Sequence, residues 1–317
     1  MATEPRPTED RRTPMKLALA LGAATLLTLA ACGTETGSGH GNDIAGDDPK
    51  PTAFTPSGTN PPVAVPAAGG LVTGQGTVMD TGRPELCLGG VLDSYPPQCG
   101  GPPIVGWDWA KVAGQFEKSG DTRWGSFVLT GTFDGTTFTM TEPAKSLALH
   151  DPTPDPGHDR DPFKTPCAEP EGGWAVVDPA TTNDRTMQQV FAKASQLDGY
   201  AGAWVDQSPN PSSDEGGMND PTKLVVNVTV TGDIEAAEAE LRKIWGGALC
   251  VSKAKYTEAD LQAIQLQLQE VPGLLGSNAQ NDLVTAEVIH DDGSIQAWAD
   301  EEYGEGRVIF SSALNPA

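Results

Sequence analysis

The most constraining feature of this 317-residue chain is an apolar run near its start. Basic residues precede residues 17–29, about a dozen mostly apolar positions, which is the length of a signal-peptide hydrophobic region and too short to cross a bilayer. Cys32 follows, and then a glycine-rich tract. We therefore expect residues 1–31 to be a signal peptide that is removed, and the remainder to fold in an oxidising compartment.

The residues around the cysteine carry a processing signal. Leu29, Ala30, Ala31 and Cys32 resemble the lipobox of bacterial lipoproteins, where small residues precede a cysteine that receives a diacylglyceryl group. The resemblance implies that Cys32 is the lipidated first residue of the mature chain, anchored at the extracytoplasmic face of the cell membrane. The alternative is a chance cluster of small residues with Cys32 as a buried or disulfide-bonded thiol. Translation could also start at Met15, and the expectations for Cys32 and the residues after it are the same for either start.

The charge excludes one class of partner. The chain has a formal net charge of −23, and residues 1–31 hold four basic and three acidic residues, so the mature chain carries −24. Nucleic acid and anionic lipid would repel such a protein. We therefore expect no nucleic-acid partner, and membrane attachment through the lipid on Cys32 alone.

The other cysteines predict disulfides. Cys87, Cys99, Cys167 and Cys250 form an even set, which allows three connectivities. The first two lie close together in a segment rich in glycine and proline, ahead of the apparent linker near residue 150. We predict the pairs Cys87–Cys99 and Cys167–Cys250. A metal site would need CxxC-like spacing or a nearby histidine pair, and the sequence has neither.

The composition divides the mature chain into four parts. Residues 32–68 are rich in Gly, Pro, Ser, Thr and Asp and are predicted to be a disordered tether. Residues 69–149 show short β-type runs and are predicted to form a small all-β domain, an open barrel or a sandwich, with a hairpin at Asp134 and Gly135. Residues 150–166 are a proline-broken linker, and residues 167–317 are an α+β sandwich domain.

Helical periodicity appears only after residue 167. It predicts a helix that begins near Thr182 and Asn183, a second capped by Asp233, and a third with a capping box of Thr257 and Asp260. Predicted strands cover residues 200–206, 223–230, 249–255, 283–291, 294–300 and 307–314, with an Asp-Gly turn between the fourth and fifth.

Few side chains are candidates for chemistry. Trp107, Trp109 and Trp124 are predicted to form the core and rim of the β-domain, with an aromatic ligand platform as the alternative. His290 is the one imidazole that falls in a predicted structured region. It precedes Asp-Asp-Gly, so we interpret it as a solvated turn residue rather than a base.

The linker contains possible cation ligands. Asp155, His158, Asp159 and Asp161 could offer oxygen and nitrogen atoms to a divalent ion. The segment lacks a glycine-bent ligand loop with a closing glutamate, and its prolines fit a solvated linker. No metal site is predicted.

Part of the C-terminal region resembles a known module. Residues 200–206 (YAGAWVD), followed by LVVNVTV, a helix and KYTEADLQAI, resemble the βαβ propeptide module of alpha-lytic and streptogrisin-type bacterial serine proteases. The match covers about 70 residues and is interrupted by residues 207–222. It implies a fold element and, as a hypothesis, an inhibitor or chaperone of a secreted protease. No protease domain or GDSG-like segment follows.

The whole mature chain, with its segments PELCLGG, SYPPQCGGP, GWDW, WVDQS and WGGALC, resembles uncharacterised lipoproteins of Gram-positive actinobacteria. The sequence contains no GxSxG, HExxH, P-loop, dinucleotide fingerprint or CxxC. We therefore predict no catalytic, cofactor or metal residues, and a non-enzymatic surface lipoprotein that binds an envelope component or protein. An envelope hydrolase with paired carboxylates is the alternative from another class.

Overall fold

The computed structural model of the protein describes residues 58–147, 163–210, 219–280 and 282–317. In them the fold is α+β, as predicted, with one barrel-like sheet of eight strands and two sheets of three strands. None of the helices in these ranges is long and apolar enough to cross a membrane. The predicted signal peptide, Cys32, and the linker residues Asp155, His158, Asp159 and Asp161 lie outside the described residues.

The barrel-like sheet is antiparallel apart from one short pair of strands. Asp134 and Gly135 form the predicted hairpin, in which Asp134 Oδ1 accepts the amides of Thr136 at 2.9 Å and Thr137 at 2.8 Å. Gly135 has φ +94°, where a Cβ would be strained. The strands are β1 (Val72–Asp80), β2 (Pro84–Cys87), β3 (Ile104–Val105), β4 (Glu117–Ser119), β5 (Thr122–Phe133), β6 (Phe138–Met140), β7 (Lys145–Ser146) and β14 (Asn315–Pro316).

The remaining elements form two modules of the same order, helix, strand, strand, helix, strand. The first module contains α1 (Asp184–Ala194), β8 (Tyr200–Asp206), β9 (Val225–Val230), α2 (Ile234–Arg242) and β10 (Ala248–Lys253). The second contains α3 (Glu258–Gln267), β11 (Leu274–Gln280), β12 (Leu283–Val288), α4 (Ser294–Tyr303) and β13 (Val308–Ser312). In each module the first two strands are antiparallel, and the second pairs in parallel with the third across a helix.

Local details show that the two modules are structural repeats. Asn183 and Thr257 cap the first helix of each module through a capping box. Gly199 and Gly273 have φ values of +71° and +72°, and each is followed by an irregularity in strand register that ends at the glycine three positions later, Gly202 or Gly276. The sequence distance from Asn183 to Thr257 is the same as that from Gly199 to Gly273 and from Gly202 to Gly276. The predicted single sandwich is therefore two modules, each with its own sheet and core.

One predicted strand is wrong. Residues 294–300 form the start of helix α4, because the Asp291 carboxylate accepts the amides of Ile295 at 2.9 Å and Gln296 at 3.1 Å. The predicted Asp-Gly hairpin turn is instead the start of this helix, where Gly293 has φ +98°. Ile295 and Ala299, four positions apart, are both fully buried.

The predicted boundary between the two folded regions also needs correction. β14, at the end of the chain, pairs with β1 of the barrel-like sheet. Leu314 is fully buried in the core of that sheet, beside Val72 and Phe133. Residues 314–316 therefore belong to the β-domain, although the sequence analysis assigns them to residues 167–317.

The end of the predicted tether is held against the folded chain. The carboxylate of Glu302, a buried residue of α4, accepts the amide of Gly58 at 3.0 Å, and the amide and hydroxyl of Thr59 at 2.8 and 2.6 Å. The Trp298 indole donates to the Thr59 carbonyl at 3.2 Å, and farther along the amide of Ala68 donates to the carbonyl of Phe133 at 2.9 Å. Residues 58–68, assigned to the tether from composition, are thus part of the folded structure.

Candidate functional site

The GWDWAKV segment, residues 106–112, lines a cavity in the β-domain. It follows β3, which pairs in parallel with β6, so the chain after β3 lies beside the chain after β6. Gly106, at φ +91°, allows the chain to turn. Asp108 then caps a 3₁₀ turn, Trp109–Val112, and its Oδ1 accepts the Ala110 amide at 2.9 Å.

Trp109 is a structural residue of this segment. Its indole N–H donates to Asp80 Oδ2 at 2.7 Å, and its ring centroid lies 4.7 Å from that of Phe116. The Arg123 guanidinium carbon lies 6.0 Å from the ring centroid. Trp109 is therefore fixed in place, and it supports its neighbour Trp107.

Trp107 has the one indole in this segment whose polar atom is unsatisfied. Edge-on contacts hold the ring, with centroids 5.0 Å from both Trp109 and Phe127. The indole nitrogen is buried and has no hydrogen-bond partner in the described part of the chain. A buried donor without an acceptor costs about 1 to 3 kcal/mol, which a ligand acceptor or a water would recover.

The Trp107 cavity has a volume of about 250 Å³. Its apolar lining is supplied by Val112, Met140, Pro143 and Ala144, and its polar lining by Asp108, Lys111, Thr141 and Glu142. Small-molecule sites usually combine apolar walls with a few polar groups, and the Trp107 cavity has both kinds of lining in about equal share.

The same cavity bears on the hydrolase hypothesis. Two carboxylate residues line it, Asp108 and Glu142, and both are exposed to solvent. A glycosidase-type general acid requires a carboxyl group that its surroundings keep protonated, usually by burial. Among the residues that line this cavity, the hydrolase hypothesis would have to use this exposed pair.

The predicted tryptophan roles agree with the structure. Trp109 and Trp124 are buried, and Trp107 packs partly buried against the same core as Trp109. Trp124 belongs to a separate small cluster with Met79 and Cys87, and its ring makes a T-shaped contact with that of Tyr95 at a centroid distance of 5.5 Å.

Both predicted disulfides are present. The short disulfide, Cys87–Cys99, closes a loop after β2, and the long disulfide, Cys167–Cys250, joins the segment before α1 to β10. Their sequence separations are 12 and 83 residues.

The long disulfide fastens a strap, residues 163–177, over the face of the first module's sheet that points away from its helices. The Thr165 amide donates to Asp206 Oδ2 at 2.7 Å, and the Trp204 indole donates to the Phe163 carbonyl at 2.8 Å. Burial opposes ionisation of the Asp206 carboxyl, but hydrogen bonds from Ser208 and Thr165 outweigh it and lower its pKa. Trp204 therefore lies under a covalently held segment rather than on an open sheet face.

His290 is a packing residue. The sequence predicts a solvated turn residue here, but His290 is only 8% exposed. Its Nδ1 lies 3.2 Å from the Leu314 carbonyl oxygen, and its ring centroid lies 6.4 Å from that of Phe133. The expectation is wrong because residues 312–316 return to the barrel-like sheet and cover this position. No cluster of potential metal ligands occurs among the residues that the structure describes.

No protein-family model and no curated protein matches the chain.

The sequence offered Trp107 only within an alternative, an aromatic ligand platform, and did not indicate the cavity beside it. The aromatic residues of GWDW are visible in the sequence, but the facing segment, residues 140–144, follows a different strand. The two meet because Ile104 pairs with Phe138 and Val105 with Thr139. No local pattern predicts pairing between strands of two and three residues.

Proposed function

We propose that this protein is a lipid-anchored extracytoplasmic binding protein without enzymatic activity, which holds a small acetamido-bearing envelope component in the Trp107 cavity. Two observations carry the proposal: Trp107 lines a cavity of about 250 Å³, and its buried indole N–H lacks an acceptor within the described residues. A site built to donate a hydrogen bond selects ligands that accept one.

The chemistry of the lining selects the ligand class. An acetamido carbonyl can accept from Trp107, and its methyl group can pack on the apolar side chains of Val112 and Met140. Sugar hydroxyls can donate to the carboxylates of Asp108 and Glu142 and accept from Lys111. N-acetylated amino sugars combine all three features in one molecule.

The anchor is supported by the sequence around Cys32 and by the disulfides. Two disulfides suit a chain that folds outside the cytoplasm. A diacylglyceryl group on Cys32 would hold the protein at the membrane, at about 0.8 kcal/mol per buried methylene, without help from basic residues. Residues 33–57 would then connect the lipid to the folded chain at Thr59.

Calorimetric titration with N-acetylglucosamine and its β-1,4-linked dimer tests the proposal, with glucose as the matched ligand that lacks the acetamido group. We expect binding of the acetylated sugars, and glucose at least about tenfold weaker, because the hydrogen bond to Trp107 is worth about 1.4 kcal/mol. Trp107→Phe should weaken binding by the same factor. Trp298→Phe, whose indole bonds to Thr59, is the control and should leave binding unchanged. Equal affinity for glucose, or no effect of Trp107→Phe, would contradict the proposal.

A further inference from the structure

The loop closed by the short disulfide, residues 88–98 and here called the tip loop, presents large side chains to solvent. Residues 90–95 are all exposed, and Leu92 and Tyr95 are 65% and 74% exposed. Between them lie Asp93 and Ser94. Single exposed apolar residues are common, but Val91, Leu92 and Tyr95 are exposed together within five positions, which indicates a contact surface.

A disulfide at its base and hydrogen bonds inside it hold the tip loop in one conformation. The short disulfide ties Cys99 to the end of β2, and the Leu92 amide donates to the Gln98 carbonyl at 2.9 Å across the base of the tip. The Ser94 amide donates to the Leu92 carbonyl and its hydroxyl to the Pro96 carbonyl, both at 2.9 Å. A loop already held in one conformation loses little entropy when it binds.

Asp93 is the one charged residue of the tip loop. In the described part of the chain neither its amide nor its carbonyl makes a hydrogen bond, although the amides of Leu92 and Ser94 on either side do. Its carboxylate makes no ion pair within the same residues and is exposed. A partner can therefore contact the side chain of Asp93 and its carbonyl together.

We propose that the tip loop docks, in the manner of a substrate, in the cleft of an extracytoplasmic serine peptidase, with Asp93 in the pocket that reads the residue before the cleaved bond. Such a cleft recognises one side chain and holds the carbonyl of the same residue with two amide donors. The acidic side chain calls for a pocket lined by cationic groups, so the partner is an acid-specific peptidase. Leu92 and Tyr95 fill the adjoining apolar subsites.

The loop is built to remain bound rather than to be consumed. If the peptidase serine attacks the Asp93 carbonyl, the bond to Ser94 breaks, the Ser94 amine takes the proton from the catalytic histidine, and an acyl-enzyme ester forms. The amine cannot leave, because the Leu92 carbonyl holds it and the short disulfide joins both halves. It can attack the ester, restore the peptide bond and release the serine. No co-reactant is required.

Changing the specificity of the tip loop tests the proposal without knowledge of the natural partner. Residues 84–101 contain no Lys or Arg, so the wild-type tip loop offers trypsin nothing to bind. The full chain with Asp93→Lys and intact disulfides should inhibit trypsin competitively, about a hundredfold or more better than wild type. Wild type should inhibit a glutamyl endopeptidase and not trypsin. Hydrolysis of a small chromogenic substrate gives the inhibition constants, and mass spectrometry follows the bond after residue 93.

Two variants serve as controls. Asp121→Lys makes the same charge change in the exposed turn between β4 and β5 and should not inhibit trypsin. Adding Cys87→Ser and Cys99→Ser to Asp93→Lys should convert the inhibitor into a substrate cut after residue 93, with thermal unfolding as the check that the chain folds.

An Asp93→Lys chain that fails to inhibit trypsin, or is cut rapidly with the short disulfide intact, would overturn the proposal. So would a wild-type chain that leaves the glutamyl endopeptidase unaffected. The result is independent of the Trp107 cavity, because sugar binding and peptidase inhibition are separate measurements. Loss of one does not decide the other.

Discussion

The contact between Glu302 and the start of the described chain gives a sharp stability prediction. Glu302 Oε1 accepts the Gly58 amide, and Oε2 accepts both the amide and the hydroxyl of Thr59. In Glu302→Gln, an amide group of the same shape replaces the carboxylate. One carboxylate oxygen is replaced by an NH₂ group, which donates and would face another donor, so at least one hydrogen bond is lost. The hydrogen bonds that remain go to a neutral amide oxygen and are weaker than those to a carboxylate.

The magnitude follows from these bonds. Hydrogen bonds to a charged group contribute about 1.5 to 3 kcal/mol each, and the low end applies because the contact is only partly buried. Losing one such bond and weakening two should lower the free energy of opening of this segment by about 2 kcal/mol, which is about thirtyfold in its equilibrium constant. Burial is the larger cause, and the charge of Glu302 the smaller cause, that raise the pKa of Tyr303 to about 12. The charge on Glu302 therefore already affects the ionisation of the neighbouring residue.

Hydrogen–deuterium exchange is the assay. Amides of residues 58–68 should exchange about thirtyfold faster in Glu302→Gln, while amides of β1 and β5 keep their protection. Glu301→Gln, an exposed neighbour on the same helix, is the matched control and should leave the exchange unchanged. Unaltered exchange at Gly58 and Thr59 in Glu302→Gln would refute the reasoning.

Three further predictions concern other parts of the molecule. Loop entropy predicts that alanine replacement of the long disulfide costs about 4 to 5 kcal/mol of unfolding free energy and of the short disulfide about 3, and urea unfolding that reverses this order would contradict it. Folding lowers the pKa of Asp206, so the ionised carboxylate stabilises the folded state. This contribution to stability is fully present above the unfolded-state pKa of about 3.9 and is lost as the pH falls through the lower folded-state pKa. The strap should therefore exchange faster below about pH 4, and Asp206→Asn should abolish that pH dependence. An alkyne fatty acid should label the wild type in cells but not Cys32→Ala, and an unlabelled wild type would remove the proposed anchor.

Features set by neighbouring residues could be predicted from the sequence. The caps at Asn183, Asp233 and Thr257 and the hairpin at Asp134 all depend on a side chain that bonds to a backbone amide within three residues. The disulfide partners followed from an even cysteine count and from one close pair.

Features set by distant contacts could not be predicted. The start of α4 is the exception, because it was missed although it is local: an Asp-Gly pair fits both a hairpin turn and a helix start, and the Asp291 carboxylate, which accepts amides four and five residues later, decides for the helix. His290 is buried by the end of the chain, which no local pattern indicates. The two modules share caps and glycine conformations more than residue identities, so their repetition appears only in three dimensions. The Trp107 cavity depends on the pairing of β3 with β6.

The Trp107 indole resonance tests the central claim most directly. The chain has seven tryptophans, so a ¹⁵N-labelled sample gives a small set of indole signals, and Trp107→Phe identifies the one that matters. We predict that N-acetylglucosamine moves the Trp107 N–H signal in the direction of a new hydrogen bond and leaves those of Trp204, Trp245 and Trp298 in place, since these donate to carbonyls within the protein. A Trp107 signal that stays fixed at saturating N-acetylglucosamine, or that glucose moves equally, would contradict the proposed function.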